Sequence, residues 1–165
     1  MVFMNKFDCL SVLFLYPQKN IIEPYKNCAE NFGLKLPELE DLQVEYTRLF
    51  INAYPKVIAP PYESFWREKE IYGETTIAIK KLYAACNLDT SKNWHDLPDH
   101  IAAELAFYAY LEENDSAENH DIKLRLLEEH LKLWVNKFCE VIKNKTNLEY
   151  FKNLSILLEE SIYKG

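Results

Sequence analysis

The segment WHDLPDHIAAEL, residues 94–105, concentrates side chains whose types could bind a metal or move protons. These side chains are His95, Asp96, Asp99, His100 and Glu104. Imidazole and carboxylate groups are common zinc ligands, but no HExxH or comparable spacing accompanies them. A metal- or nucleotide-dependent enzyme or regulator that uses this cluster therefore stays open only as an alternative.

The same cluster also has a purely structural interpretation. Asp96 can cap a helix, and Asp99 in the first turn would complement the positive end of that helix. His100 and Glu104 are four residues apart on one helical face, so a surface hydrogen bond between them is expected. This interpretation needs no ligand.

A second segment, APPYESFWREKEIYGETT at residues 59–76, combines stiffness with aromatic side chains. Pro60 and Pro61 restrict the backbone to extended geometry. If Ser64 caps a helical turn, Tyr62 and Trp66 share one face beside an acid. Such a patch suits a basic and apolar peptide, because rings anchor apolar groups and stack on guanidinium. The alternative is that these rings pin the loop to the core.

Several kinds of catalytic site lack their sequence signatures. There is no G-x-S-x-G turn and no glycine-rich phosphate loop. The four cysteines, at positions 9, 28, 86 and 139, are far apart and predict buried free thiols rather than a zinc site. The sequence predicts no catalytic residues, no metal and no cofactor.

Helical periodicity runs through the chain and must position these residues. One helix uses apolar positions 3, 4, 7, 10, 13 and 14 and stops before Pro17, and the next runs toward Gly33. A third begins near Pro37 and includes EYTRLF, residues 45–50, with Arg48 turned outward. Further helices are predicted from Thr75 or Thr76 and from Pro98.

Two helices complete the pattern. A long one runs from about Ser116 toward Lys145, and its predicted inward residues are Leu124, Leu127, Leu131, Trp134, Phe138 and Ile142. The last helix presents Leu148, Phe151, Leu154, Leu158 and Ile162 inward. With 165 residues, three glycines and no strand alternation, the chain predicts one all-α domain over residues 1–165, a bundle of about seven or eight helices.

The charge balance limits the choice of partner. The net charge of −7 repels a phosphate backbone, so nucleic acid is not expected, whereas a cationic ligand would be attracted. Asp8 interrupts the apolar N-terminal run, no cleavage site follows it, and no stretch is long enough to span a bilayer. The expectation is a cytoplasmic protein without stable membrane insertion.

Four blocks, read together, resemble the TorD/DmsD/NarJ family of molybdoenzyme chaperones. EYTRLF, PPYESFW, GETT and LPDHIAAELAFYAYL occur in the order and approximate spacing of that family, between about residues 40 and 112. The resemblance implies a TorD-like all-helical bundle without catalytic activity. It also implies a partner, the catalytic subunit of a molybdopterin-dependent oxidoreductase, bound through its N-terminal twin-arginine leader until the cofactor is inserted.

The resemblance further implies which residues bind the leader. They are Arg48, Leu49, Phe50, Tyr62, Ser64, Trp66, Pro98, Asp99 and His100. Asp99 is expected to face the arginines of the leader, and the aromatic residues its apolar part. A plain helical adaptor is a further alternative, and both a monomer and a helix-swapped dimer stay open.

Overall fold

The structure, a computed structural model, describes residues 4–89 and 94–165, which form helices joined by short loops. In chain order these are α1 (Lys6–Leu13), α2 (Ile22–Asn31), α3 (Leu39–Tyr46), α4 (Glu63–Glu68), α5 (Glu74–Ala85), α6 (Ile101–Glu113), α7 (Ala117–Leu126), α8 (Lys132–Lys145) and α9 (Glu149–Tyr163). A 3-10 turn, Lys19–Ile21, precedes α2. The predicted all-α fold class is confirmed.

The helix boundaries follow local chemistry, with some shifts from the sequence pattern. Asn5 caps α1 by accepting from the backbone N–H of Phe7 at 2.8 Å, whereas position 3 of the predicted first helix lies outside the described residues. Gly33 ends α2 with φ of 68°, a conformation that glycine adopts without strain. The N-cap of α5 is Gly73, not a threonine, and Thr76 accepts a hydrogen bond from the Gly73 N–H.

The core lies where α1 packs on α6 and α2, and where α8 packs on α9 and α4. Trp134, Phe14, Phe138 and Phe151 are among its largest fully buried side chains. Close packing of α1 on α6 is visible in a 2.6 Å hydrogen bond from the Ser11 hydroxyl to the Ala102 carbonyl. The small side chain of Ala102 permits this approach.

The predicted long helix from Ser116 to Lys145 is helical throughout residues 117–145, but its geometry changes midway. A π-helical turn, Leu127–Leu131, separates α7 from α8, and a second π-helical turn, Thr47–Ile51, follows α3. Leu126 and Leu131, five residues apart, are both fully buried, whereas Leu124 is 45% exposed. The prediction that Leu124 faces inward was therefore wrong, because the wider turn rotates the buried face.

The cysteine prediction was also wrong in part. Cys9 of α1 and Cys28 of α2 form a disulfide, with their Cα atoms 5.1 Å apart. Cys139 is a buried free thiol and Cys86 a partly exposed one, and burial raises the pKa of the Cys139 thiol well above its usual value. Among the described residues, no helix combines the length and apolar character needed to cross a bilayer.

Candidate functional site: a cleft between two proline corners

Two segments that are distant in sequence meet through their backbones at the site. An isolated antiparallel bridge pairs Tyr62 with His100. The N–H of Glu63 donates to the carbonyl of Asp99 at 3.1 Å, and the N–H of Ile101 donates to the carbonyl of Pro61 at 2.8 Å. We name residues 60–61 the Pro-Pro corner and residues 98–100 the Pro-Asp-His turn. These two segments, each singled out in the sequence, therefore form one wall of the site.

The Pro-Pro corner is fixed from inside the protein. Pro60 and Pro61 are buried, and the Trp66 indole N–H donates to the Pro60 carbonyl at 2.7 Å. The Trp66 ring packs against Phe138 of α8, with ring centroids 6.1 Å apart. Because Trp66 turns toward the core, it does not share a face with Tyr62, and that expectation was wrong.

Asp99 is a buried capping residue. Its side chain has no exposed surface, and its Oδ2 accepts from the backbone N–H of Ser64 at 2.8 Å, in the first turn of α4. Ser64 itself does not cap this turn, since its hydroxyl accepts from the Tyr72 N–H at 3.2 Å. This buried location does not fit the expectation that Asp99 faces the arginines of a ligand.

His100 is the N-cap of α6, a role that the sequence pattern had given to Asp96. Its Nδ1 accepts from the Ala102 N–H at 3.0 Å. Burial lowers the pKa of His100 to about 4, although the charge of Asp96 acts in the opposite direction. His100 is therefore neutral near pH 7. His100 and Glu104 are both buried, so the predicted surface hydrogen bond between them was wrong.

A buried polar network lies beneath this wall and holds α4 in place. Glu63 contacts Arg67 at 2.7 Å and His130 of the π-helical turn at 2.9 Å. Glu104 accepts from the Trp134 indole N–H at 3.3 Å. Burial, followed by the nearby charge of Glu63, raises the pKa of Glu104 well above its usual value.

In front of the wall lies an open hollow of about 390 Å³, which we name the corner cleft. Most of its lining is aromatic or apolar, and the lining residues are Leu15, Tyr16, Gln18, Asn20, Ile21, Tyr46, Phe50, Ile51, Pro61, Tyr62, Trp94, His95, Asp96 and His100. The Tyr16 and Tyr46 rings meet edge to face at 5.6 Å. Among these described lining residues there is no lysine or arginine.

Asp96 places a carboxylate at the edge of the corner cleft. Its Oδ1 accepts from the Tyr62 hydroxyl and from the Leu97 N–H, both at 2.7 Å. Its Oδ2 lies 4.0 Å from the His100 Nε2, and the side chain is 40% exposed. A half-exposed carboxylate surrounded by aromatic rings is suited to a guanidinium or ammonium group.

The described residues do not assemble a metal site from the acidic and histidine cluster. Within 4–89 and 94–165, no three His, Cys, Asp or Glu side chains are grouped so as to hold a metal ion. Asp99, His100 and Glu104 are buried in the interior, whereas His95 and Asp96 are exposed to solvent. The alternative of a metal-dependent enzyme therefore loses the geometry that motivated it.

Comparison with known proteins identifies the family. The profile of the family described as nitrate reductase delta subunit matches residues 18–140. The chain belongs to this family. This finding supports membership of the TorD/DmsD/NarJ family that the four sequence blocks resemble, so that resemblance is confirmed.

Two relatives extend the comparison. The chain is 28% identical over 120 residues to the Tat proofreading chaperone DmsD of Salmonella typhi, covering 72% of this chain but 57% of that protein. It thus spans little more than half the length of this relative. A crystal structure of a proposed redox enzyme maturation protein from Archaeoglobus fulgidus superposes with a TM-score of 0.75 at 25% identity, covering 98% of this chain and 94% of the other.

The nine residues that the family resemblance implies as leader-binding are distributed unevenly around the cleft. Phe50, Tyr62 and His100 line it. The other six are Arg48, Leu49, Ser64, Trp66, Pro98 and Asp99, and they lie outside its lining. Ser64 and Asp99 are fully buried, and Pro98 offers its carbonyl to the Tyr83 hydroxyl at 2.6 Å. Ser64, Trp66 and Asp99 support the wall from within, and none of the six is among the residues that line the hollow.

Arg48 has a structural role that its sequence position did not indicate. Its guanidinium contacts Glu45 at 2.7 and 3.2 Å and donates to the Lys145 carbonyl at 2.6 Å, so the end of α3 is tied to the end of α8. Although burial alone would raise the pKa of Glu45, hydrogen bonds from Arg48 and the Asn147 N–H lower it. The guanidinium of Arg48 is thus already paired with a carboxylate of the same protein.

Sequence reasoning missed three of the rings that line the cleft, Tyr16, Tyr46 and Trp94. Tyr16 directly precedes Pro17, at the end of the N-terminal apolar run, and this position after a helix was the available signal. Trp94 opens the acidic and histidine segment, and its ring lies 5.4 Å from His100. Tyr46 belongs to the EYTRLF block; it is buried in the core and also lines the cleft.

Proposed function

We propose that this chain is a non-catalytic chaperone of the TorD/DmsD/NarJ family that binds the N-terminal twin-arginine leader of an oxidoreductase catalytic subunit. The client contains a molybdopterin cofactor, and the chaperone holds its leader in the cytoplasm until the cofactor is inserted. The observation that carries the proposal is the corner cleft, in which aromatic rings and the carboxylate of Asp96 face the same hollow. The description of one relative as a Tat proofreading chaperone adds support.

The chemistry of the cleft fits a cationic and partly apolar peptide. Asp96 supplies the negative charge, and the Tyr62 hydroxyl fixes one oxygen of its carboxylate. The neighbouring rings, above all Trp94 and Tyr16, offer faces to a guanidinium. Pro61 and the bridge at Tyr62 preorganise this wall, so the protein loses little conformational entropy when a peptide binds.

The first prediction concerns Asp96. A synthetic leader peptide with two adjacent arginines and a following apolar segment should bind the full chain, and Asp96→Asn should weaken its Kd by about tenfold, the effect of losing one charge-assisted hydrogen bond. Binding should also weaken as salt rises, because the pair is partly exposed. Isothermal titration calorimetry measures both effects.

The matched control is Asp115→Asn, which removes an exposed carboxylate in the loop between α6 and α7. This variant should bind the leader like the unchanged protein. If the unchanged protein binds no such peptide, the proposed function is wrong, and capture of a folded partner would then favour the adaptor alternative. Equal weakening by both substitutions would indicate a general charge effect rather than a site at Asp96.

A further inference from the structure

A second hollow adjoins the corner cleft and is not explained by the binding of arginines. It has a volume of about 390 Å³ and lies between α1, the end of α5 and α6. Its floor consists of small side chains of α6, Ala102, Ala103 and Ala106, and its sides include Leu88 and Phe107. We name it the alanine groove.

Two hydroxyl groups at the edge of the alanine groove make hydrogen bonds within the protein. The Ser11 hydroxyl donates to the Ala102 carbonyl at 2.6 Å, and the Tyr83 hydroxyl donates to the Pro98 carbonyl at 2.6 Å. A ligand in the groove would therefore meet the apolar parts of these side chains. Asp89 is the charged side chain among the described residues that line it.

The alanine groove and the corner cleft share a boundary. Leu15 and Trp94 line both hollows, and the Trp94 indole N–H donates to the Leu97 carbonyl at 3.0 Å, which fixes the ring between them. The described linings of the two hollows contain two carboxylates, Asp96 and Asp89, and no lysine or arginine. Each described lining thus carries one carboxylate, and what sets the alanine groove apart is its row of alanine side chains, which suits an apolar chain.

We infer that the alanine groove binds the apolar segment of the same leader whose cationic side chains lie at Asp96. The inference rests on the proposed function. The occupant is an uncharged, leucine- or phenylalanine-rich stretch adjacent to the arginines, and it passes over Trp94 from one hollow to the other. Because Leu15 and Trp94 line both hollows, the two form a continuous surface, which argues for one peptide rather than two partners.

The test fills the groove without removing any polar contact. Ala106 is exposed and its side chain makes no hydrogen bond, so Ala106→Phe occupies the groove while α6 keeps its caps. Two synthetic peptides are titrated by calorimetry, one with arginines followed by leucines and one with the same arginines followed by serines. Ala106→Phe should weaken the leucine peptide by about tenfold or more, the effect of excluding one apolar side chain from burial.

The serine peptide should bind Ala106→Phe and the unchanged protein equally. Ala117→Phe, at an exposed position at the start of α7 that lines neither hollow, serves as the matched control and should leave both affinities unchanged. If Asp96→Asn weakens the leucine peptide but Ala106→Phe does not, the inference fails while the proposed function stands. If neither peptide binds the unchanged protein, the proposed function itself fails.

Discussion

His100 caps a helix with an atom that can be protonated. Its Nδ1 accepts the Ala102 N–H, which requires that this nitrogen carry no proton. The ring is buried between Tyr62 and Trp94, each with its ring centroid 5.4 Å away. Protonation would therefore convert the cap into a repulsive contact inside the wall of the corner cleft.

A pH dependence of stability follows from this cap. The pKa of His100 falls to about 4 in the folded protein, against 6.5 for an unperturbed imidazole. The unfolded chain thus binds a proton that the folded protein rejects, so stability is lost as the pH falls from 6.5 toward 4, by up to about 3 kcal/mol. Urea unfolding at pH 7, 6, 5 and 4 measures this loss.

His100→Asn should flatten that acid dependence, since asparagine caps a helix without titrating. The comparison uses the slope with pH, because loss of the ring also removes packing at every pH. His120→Asn, at an exposed position of α7, provides the matched control and should keep the original slope. An unchanged slope in His100→Asn would show that other groups cause the acid sensitivity.

At the scale of elements, α4 is held by residues that lie outside it. Asp99 caps its first turn, and His130 contacts its buried Glu63. The helix has only six residues, too few to be stable alone, so its position depends on these contacts. Tyr62 is the N-cap residue of α4 and also lines the corner cleft. The position of this wall therefore depends on the same contacts.

Asp99→Ala should lower the free energy of unfolding by about 2 kcal/mol, because it removes a helix cap and leaves the buried Ser64 N–H without its partner. Asp99→Asn keeps an acceptor oxygen and should cost less. Urea unfolding monitored by circular dichroism measures both variants. Asp99→Ala should also weaken leader binding, since the adjoining wall loosens.

Ser116→Ala is the matched control for Asp99→Ala. It removes the exposed cap of α7, where the Ser116 hydroxyl accepts from the Asn119 N–H at 3.1 Å, and should lower stability by about 1 kcal/mol without changing leader binding. If Asp99→Ala weakens binding but keeps full stability, Asp99 contacts the leader directly, and its role as a buried cap is contradicted.

The existence of these elements could be predicted from the sequence better than their contacts. Apolar spacing is a local property, so it located α2, α6 and α9. The burial of Asp99 and Glu104 depends on segments far away in the chain, and local patterns favour placing such acids at the surface. The same reason explains why Trp94 and Tyr46 were missed as cleft residues.

At the scale of the whole molecule, the two segments singled out in the sequence meet beside the corner cleft. The family resemblance had implied that both segments contribute residues that bind the leader. The sequence could not supply the identity of the acid, because Asp96 and Asp99 have the same side chain and differ only in burial. Their difference arises from the bridge between Tyr62 and His100.

The disulfide between Cys9 and Cys28 joins α1 to α2 and leads to a prediction for the intact chain. Denatured but unreduced protein should react with an alkylating reagent at two cysteines, Cys86 and Cys139, and reduced protein at four. Because the disulfide closes a loop with a sequence separation of 19, reduction should lower stability by about 3 kcal/mol. Mass spectrometry counts the modified thiols, and urea unfolding measures the stability.

The same measurement can contradict the structure. Reaction at four cysteines without reductant would show that the two sulfurs are not bonded. Cys86→Ser, which removes a partly exposed thiol, should reduce both counts by one and serves as the matched control for the assignment.

The π-helical turn at Leu127–Leu131 contains one residue more than the corresponding α-helical turn would. An alignment of this chain with a relative whose helix is uninterrupted therefore needs a one-residue gap at this turn. Without that gap, every residue of α8 would be matched to a neighbour on the wrong side of the helix. The role of a residue can therefore be transferred from a relative only when the segments before and after Leu127–Leu131 are aligned separately.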